Sequence, residues 1–234
     1  MPPDQSGNDL DRLAALIAAT KARGADAADA VLVRSTALSH SLRLGEIEKL
    51  ERQESQDLGL RAFVGRKQAI VSSTDLGDGA LDELADRAVA MARAVPEDKW
   101  CGLAAPEQLA TSWPDLDLVD ASEPDDATLV SQARACEEAA LAVDGVTNSE
   151  GASAGYSLSR VAIAASNGFA GAYARSDHGI GISVIAGEGV GMEGDYDYTS
   201  KVHAEDLDDP AAVGRRAGER AVARLGARKM RTAQ

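Results

Sequence analysis

The sequence has 234 residues, 44% hydrophobic and 26% charged, enough apolar content to bury a core and too much for a disordered chain. Its 24 basic and 38 acidic residues give a net charge of -14, which argues against general affinity for nucleic acid. No apolar run approaches a membrane span, and Cys101 and Cys136 are too few for a disulfide framework or a structural zinc site.

The opening residues, Met1 to Gly7, are polar and lack the layout of a signal peptide, so a cytoplasmic location is expected. Leu10, Leu13, Ala14 and Ile17 then form one apolar stripe of a first helix, with Asn8 or Asp9 to cap it and Gly24 to end it. Strands are expected at 30–35, at 38–44, where Leu38, His40, Leu42 and Leu44 alternate with polar residues, then through 45–55, at 58–64 and at 68–73. A second helix covers 78–94, and Pro96 stops it. Residues 95–125 hold four prolines and no sustained period, which marks a linker.

The pattern then recurs. A helix is expected over 126–143, strands at 146–152, 156–165, 169–175, 179–186 and 195–203, and a last helix from Pro210 after the capping acids Asp208 and Asp209. Asn167-Gly168 is a hairpin signal. The fold class this predicts is α+β, two successive helix–antiparallel strands–helix units. The division is 1–100, a proline-containing linker at 101–125, and 126–234.

Short motifs carry little chemistry here. Gly189-x-Gly191-x-x-Gly194 spells a dinucleotide fingerprint, but the residues after it alternate like a strand, so a turn is expected. Gly151 to Gly155, centred on Ser153, spells a nucleophile elbow, but a strand-like run follows it and a loop of small residues is expected. Glu193, Asp195, Asp197, Thr199, Lys201 and His203 share one strand face, read as solvated. His40 sits among leucines and reads as a covered core residue, and Cys136 as helix packing. The three histidines, His40, His178 and His203, are followed by Ser41, Gly179 and Ala204, so no zincin-type His-Glu pair occurs.

The end of the chain is basic, with seven Arg or Lys against one Glu over residues 210–234. Arg216, Arg220 and Arg224 are spaced by four and form a ridge that reads as a partner-docking candidate or as a solvated face.

Longer stretches are more specific. They are Gly45 to Ser55 (GEIEKLERQES), Leu58 to Ala69 (LGLRAFVGRKQA), Val71 to Leu76 (VSSTDL), Ala165 to Tyr173 (ASNGFAGAY), Ser183 to Ala186 (SVIA), Met192 to Tyr198 (MEGDYDY) and Ala223 to Lys229 (ARLGARK). Together they resemble the TldD/PmbA family, on its PmbA (TldE) branch, from about Leu10 to Thr232. The resemblance implies a cytosolic two-subunit metallopeptidase assembly that trims or degrades unfolded peptides. It places the zinc-type metal on a TldD-type partner and none on this chain. It also implies a third, C-terminal domain beyond Gln234, so the chain is expected to be an N-terminal portion with no catalytic or metal-binding residue of its own and no activity alone. The expected partners are a TldD-type subunit and an unfolded peptide, with neither nucleic acid nor membrane. The alternative is a non-catalytic interaction module such as a modulator of DNA gyrase.

Overall fold

The computed structural model describes residues 6–228. In chain order its elements are α1 (Ser6–Ala22), β1 (Ala27–Arg43), β2 (Glu46–Val64), β3 (Lys67–Ser73), α2 (Asp78–Ala94), α3 (Asp126–Leu141), β4 (Val146–Ala165), β5 (Ala170–Ala186), β6 (Glu193–Lys201) and α4 (Pro210–Ala223). The strands follow the order β3-β2-β1-β4-β5-β6, with the outer pairs β2–β3 and β5–β6 antiparallel. The mixture of helices and antiparallel strands is the expected α+β class. No helix of the described residues is long and apolar enough to cross a membrane.

Two compact units form. Of the described residues, the first takes those up to 36, 54–118 and 159–175, and the second takes 37–53, 119–158 and those from 176 on. The expected division at 101–125 is thus crossed twice: residues 37–53 belong to the second unit and 159–175 to the first. The cause is strand length. β1, β2, β4 and β5 are 17 to 20 residues long, and each gives one stretch to each unit. The breaks expected near 36–37, 56–57, 153–155 and 176–178 do not occur. A strand's hydrogen-bond ladder continues where its side-chain alternation weakens, as at the half-buried Arg34, Ser35 and Thr36.

In the first unit α1 and α2 cover one face of the strands. Leu13, Leu16 and Ile17 meet Leu84, Ala85 and Val89 above Ala28, Ala30, Leu58 and Leu60. Helix α1 starts at Ser6, so Asn8 and Asp9 lie inside it and do not cap it. The buried Asp9 carboxylate instead accepts from Arg34 at 3.1 Å. The proline-containing stretch is anchored within this unit. Asp98 donates its N–H to the Arg66 carbonyl at 2.7 Å, Asn167 donates to the Ala104 carbonyl at 2.9 Å, and the Trp113 ring lies over Gly171.

In the second unit α3 and α4 pack on each other and on the strands. Leu129, Ala133, Cys136 and Ala140 of α3 are buried with Val213, Ala217 and Ala221 of α4. Asp125 caps α3 through the Thr128 N–H at 2.8 Å, and Asp209 caps α4 through the Ala212 N–H at 3.2 Å, just before Pro210. Gly151 to Gly155 lies inside β4 and is not a loop. At Gly151, φ +115°, the buried positions pass from odd (Ser149) to even (Ala152, Ala154, Tyr156), the signature of a bulge.

Candidate functional site

The strands of the second unit have a helix-covered face and a bare one. The buried positions of β5 are Ser176, His178, Ile180, Ile182, Val184 and Ala186, and those of β4 include Ala154, Tyr156 and Leu158. Their neighbours in sequence point the other way and line a shallow groove of about 410 Å³. Its floor is Gly155, Gly179 and Gly181, flanked by Ser39, Ser153, Ser157 and Ser200, with Asp177 and Tyr198 at the side. A Cβ on Gly155 would lie 3.0 Å from the Leu38 carbonyl, a tight contact that glycine avoids, and the backbone stays bare. Ser200 donates its hydroxyl to the Asp177 carboxylate at 2.7 Å. Tyr196 and Tyr198 are exposed beside it, rings stacked at 6.4 Å.

Ser153 has no histidine base among the residues that line this groove. Ser153 opens on the bare face, while His178, on the covered face, is buried and cannot serve it as a base. Ser153 also sits within a strand, with no strand-to-helix turn to expose it as a nucleophile. Gly189–Gly191 is a short 3-10 turn leading into β6, so the glycine fingerprint has no helix to hold a pyrophosphate.

Under the covered face lies a polar cluster that sequence spacing did not reveal. Asp120 and His178 are distant in the chain, yet Asp120 Oδ2 stands 3.2 Å from His178 Nε2, off the line of a good hydrogen bond. The Ala204 N–H, at 2.8 Å, does most to hold the Asp120 carboxyl far below the usual carboxylate range. The Ser122 hydroxyl and N–H and the nearby His178 add to it. Burial pushes His178 below its ordinary 6.5, partly offset by Asp120 and Asp177, while His203 adds to the fall. The ring packs on Tyr156 at 4.9 Å between centroids. Ser176 ties the cluster together, accepting the Asp120 N–H and donating to the Val202 carbonyl, both at 2.8 Å.

The sign of the pH effect follows. Folded His178 resists protonation, whereas the unfolded chain takes up a proton below about 6.5, so stability falls with pH through that range. The depressed Asp120 contributes stability that disappears only at much lower pH. Melting temperatures measured between roughly pH 7 and 5 should therefore drop in the wild type and drop less in His178→Phe, which keeps the packing on Tyr156. Equal slopes in the two proteins would exclude His178 as the source.

The other predicted positions fall as follows. His40 is buried and sits 3.0 Å from Asp126, and among the described residues no third His, Cys, Asp or Glu joins the pair to hold a metal. Burial pushes the Cys136 thiol up to about 12, which makes it inert packing. The face of β6 read as solvated is covered at its centre, where Asp197 and Thr199 are buried beneath α4, while Lys201 stays exposed.

The ridge of Arg216, Arg220 and Arg224 is spent on that same strand. Arg216 and Arg220 donate to the two oxygens of Asp197 at 2.6 and 2.9 Å, and Arg216 also reaches Asp208 at 2.7 Å. Arg224 donates to Asp195 at 2.9 Å and to the Gly194 carbonyl at 3.0 Å, while Arg220 also reaches the Tyr196 carbonyl at 3.3 Å. The match is geometric: four residues of helix advance about 6.0 Å and two residues of strand about 6.6 Å. Gly194 and Tyr196 are two apart, so their carbonyls share the outer edge of the last strand, and the guanidiniums occupy groups an added strand would use. Lys229 and Arg231 lie outside the described residues.

Two family models match the chain, one after the other in sequence. Residues 28–92 match the family model described as PmbA/TldA metallopeptidase domain 1, and residues 120–225 match the PmbA/TldA metallopeptidase central domain. The chain is 34% identical over 210 residues to the metalloprotease PmbA of Escherichia coli O157:H7, covering 88% of this chain and 46% of that protein. Its fold is that of a Bacteroides thetaiotaomicron crystal structure described as a candidate modulator of DNA gyrase, with TM-score 0.88, 23% identity, and coverage of 97% of this chain and 52% of that one. TldE from Thermococcus kodakarensis shares it too, with TM-score 0.72, 17% identity, and coverage of 90% and 47%. The chain thus spans about half the length of each of these relatives.

Proposed function

This chain belongs to the PmbA/TldA metallopeptidase family, and on that premise we propose that it is a PmbA/TldE-type subunit portion that holds an unfolded peptide for a metal-bearing TldD-type partner. The observation that carries this reading is the bare glycine- and serine-lined groove of the second unit. An extended peptide can lie in van der Waals contact across the glycines there, with the Ser39, Ser153 and Ser157 hydroxyls to meet its polar groups, and such contacts ask for no particular sequence. The outer edge of β6 is held by arginines, which directs the peptide to the face. Among the described residues no three His, Cys, Asp or Glu side chains are grouped to hold a metal ion. These residues do not fit the metal the family implies, and no hydrolytic step is routed through them.

The test is reconstitution. This chain is mixed with a TldD-type subunit and an unfolded, fluorescently labelled peptide. Cleavage is expected only in the mixture, abolished by a chelator. The chain alone should bind the peptide, and Gly179→Val should weaken that binding about tenfold. A Cβ at Gly179 meets nothing nearer than the Thr199 carbonyl at 3.7 Å, so the variant folds while filling the groove. Full peptide affinity in Gly179→Val would remove the groove from the reading. A second reading takes its partner from the DNA gyrase named for the Bacteroides structure. Binding of gyrase without any proteolysis in the mixture would favour it.

A further inference from the structure

Strand β2 outlasts its neighbour β3. Their register runs from Val64↔Lys67 to Leu58↔Ser73, which leaves residues 46–53 beyond it. Each of those residues is solvent-exposed, and the apolar Ile47 and Leu50 are 53% and 63% exposed. An exposed strand of this kind offers its edge to another strand. Its charges decide which strand fits: Glu48, Lys49, Leu50, Glu51 and Arg52 read minus, plus, neutral, minus, plus.

We propose that residues 46–53 pair antiparallel with the same residues of a second copy of this chain, about a twofold axis at Leu50. In that register Glu48 faces Arg52 of the second copy and Lys49 faces its Glu51, so the twofold generates four opposite-charge pairs around a Leu50–Leu50 contact. Arg52 also holds Glu123 of its own chain at 3.2 Å, and a guanidinium has donors for both carboxylates. Neighbouring registers are rejected by their own charges. An axis at Glu48, Lys49, Glu51 or Arg52 sets that residue against its identical copy, and an axis at Ile47 sets Glu46 against Glu48. In the Leu50 register the like-charged pair is Glu46 with Glu54, at the fraying ends.

A row of charges on a strand edge can also serve simply to keep other strands away. That role calls for no complementarity, whereas here two registers bring opposite charges together, the one about Leu50 and one about Gln53 that sets Arg52 against Glu54 and Lys49 against Asp57. Reversing Lys49 and Glu51 together restores every pair of the first and breaks the second. A single strand pair is a small interface, so the dimer forms at high protein concentration and weakens with salt.

Sedimentation equilibrium on the purified chain tests this without any peptidase partner, and so independently of the peptidase reading. The wild type should dimerise at high concentration and low salt. Lys49→Glu sets a carboxylate against Glu51 of the second copy, two such like-charged pairs about the twofold, and should weaken association at least tenfold, as should Glu51→Lys. The double variant K49E/E51K restores every pair and should dimerise like the wild type. Mixing the two single variants should give a heterodimer, since each then meets its complement. Lys49 and Glu51 are exposed on the strand, so the variants retain the fold, checked by unchanged melting. A wild type that stays monomeric, or a dimer indifferent to K49E, would overturn the proposal.

Discussion

Replacing Gly214 with alanine should destabilise the second unit more than any other single methyl addition in the chain. Gly214 is where α4 crosses α3, and a Cβ built there would lie 1.9 Å from the Cys136 carbonyl oxygen, 2.8 Å from its carbon and 3.1 Å from the Ala140 nitrogen. All three are backbone atoms of a helix, so no rotamer change relieves the contact and the two helices must separate. Helix propensity alone would favour alanine by about 1 kcal/mol. Overpacking costs about 3 kcal/mol and wins. The net loss of about 2 kcal/mol should lower Tm by roughly 4–8 °C for a chain of this size. Gly218→Ala is the graded control. Its Cβ meets the Val143 side chain at 2.8 Å and the Ala140 carbonyl at 3.0 Å, and part of that clash can move aside. It should therefore cost less. A Gly214→Ala protein that melts with or above the wild type would mean that α3 and α4 do not pack at this distance.

The close crossing was visible in the sequence only as Gly214 and Gly218 four apart on the apolar side of a helix, a spacing that many surface helices share. What periodicity reported well was which side of a helix is buried. The stripes expected over 78–94, over 126–143 and from Pro210 became α2, α3 and α4, the last two ending at Leu141 and Ala223. It reported strand continuity poorly. Side-chain alternation tracks burial, whereas a strand is held by backbone pairing, and β1 and β2 continue where alternation falters or where both faces are wet. The arginine ridge was legible as a row of four-residue steps, and the acids of β6 as two-residue steps. Their near-equal rise, which locks one row onto the other, appears only once α4 is laid on β6. Asp120 and His178 had no signal at all. They are brought together by the return of the chain, and neither belongs to a recognisable spacing. The groove was half legible: Gly151 to Gly155 stood out as small, but whether small residues make a loop or a bare strand depends on the neighbours, and β1 and β5 supply them.

Glu137 is a buried acid of α3. It stands four residues after Ala133, on the side that faces the strands, and is only 2% exposed. Its two oxygens accept the backbone N–H groups of Leu44 and Gly45 at 2.9 and 2.8 Å. Those residues form the two-residue turn between β1 and β2, with φ +50° and +82°, the type I′ pattern. Glycine suits its position, but leucine at positive φ is strained by about 1 kcal/mol. The carboxylate holds the strained turn in place with two charge-assisted hydrogen bonds. Glu137→Gln keeps the shape and sets an amide N–H₂ against one of the two donors, which should cost about 2 kcal/mol. Leu44→Asn places a residue that favours left-handed backbone at the strained position and should recover about half of that loss in the double variant. Chemical denaturation of the four proteins closes the cycle. If E137Q is neutral, or if L44N gives no benefit in either background, the carboxylate is not what fixes this turn.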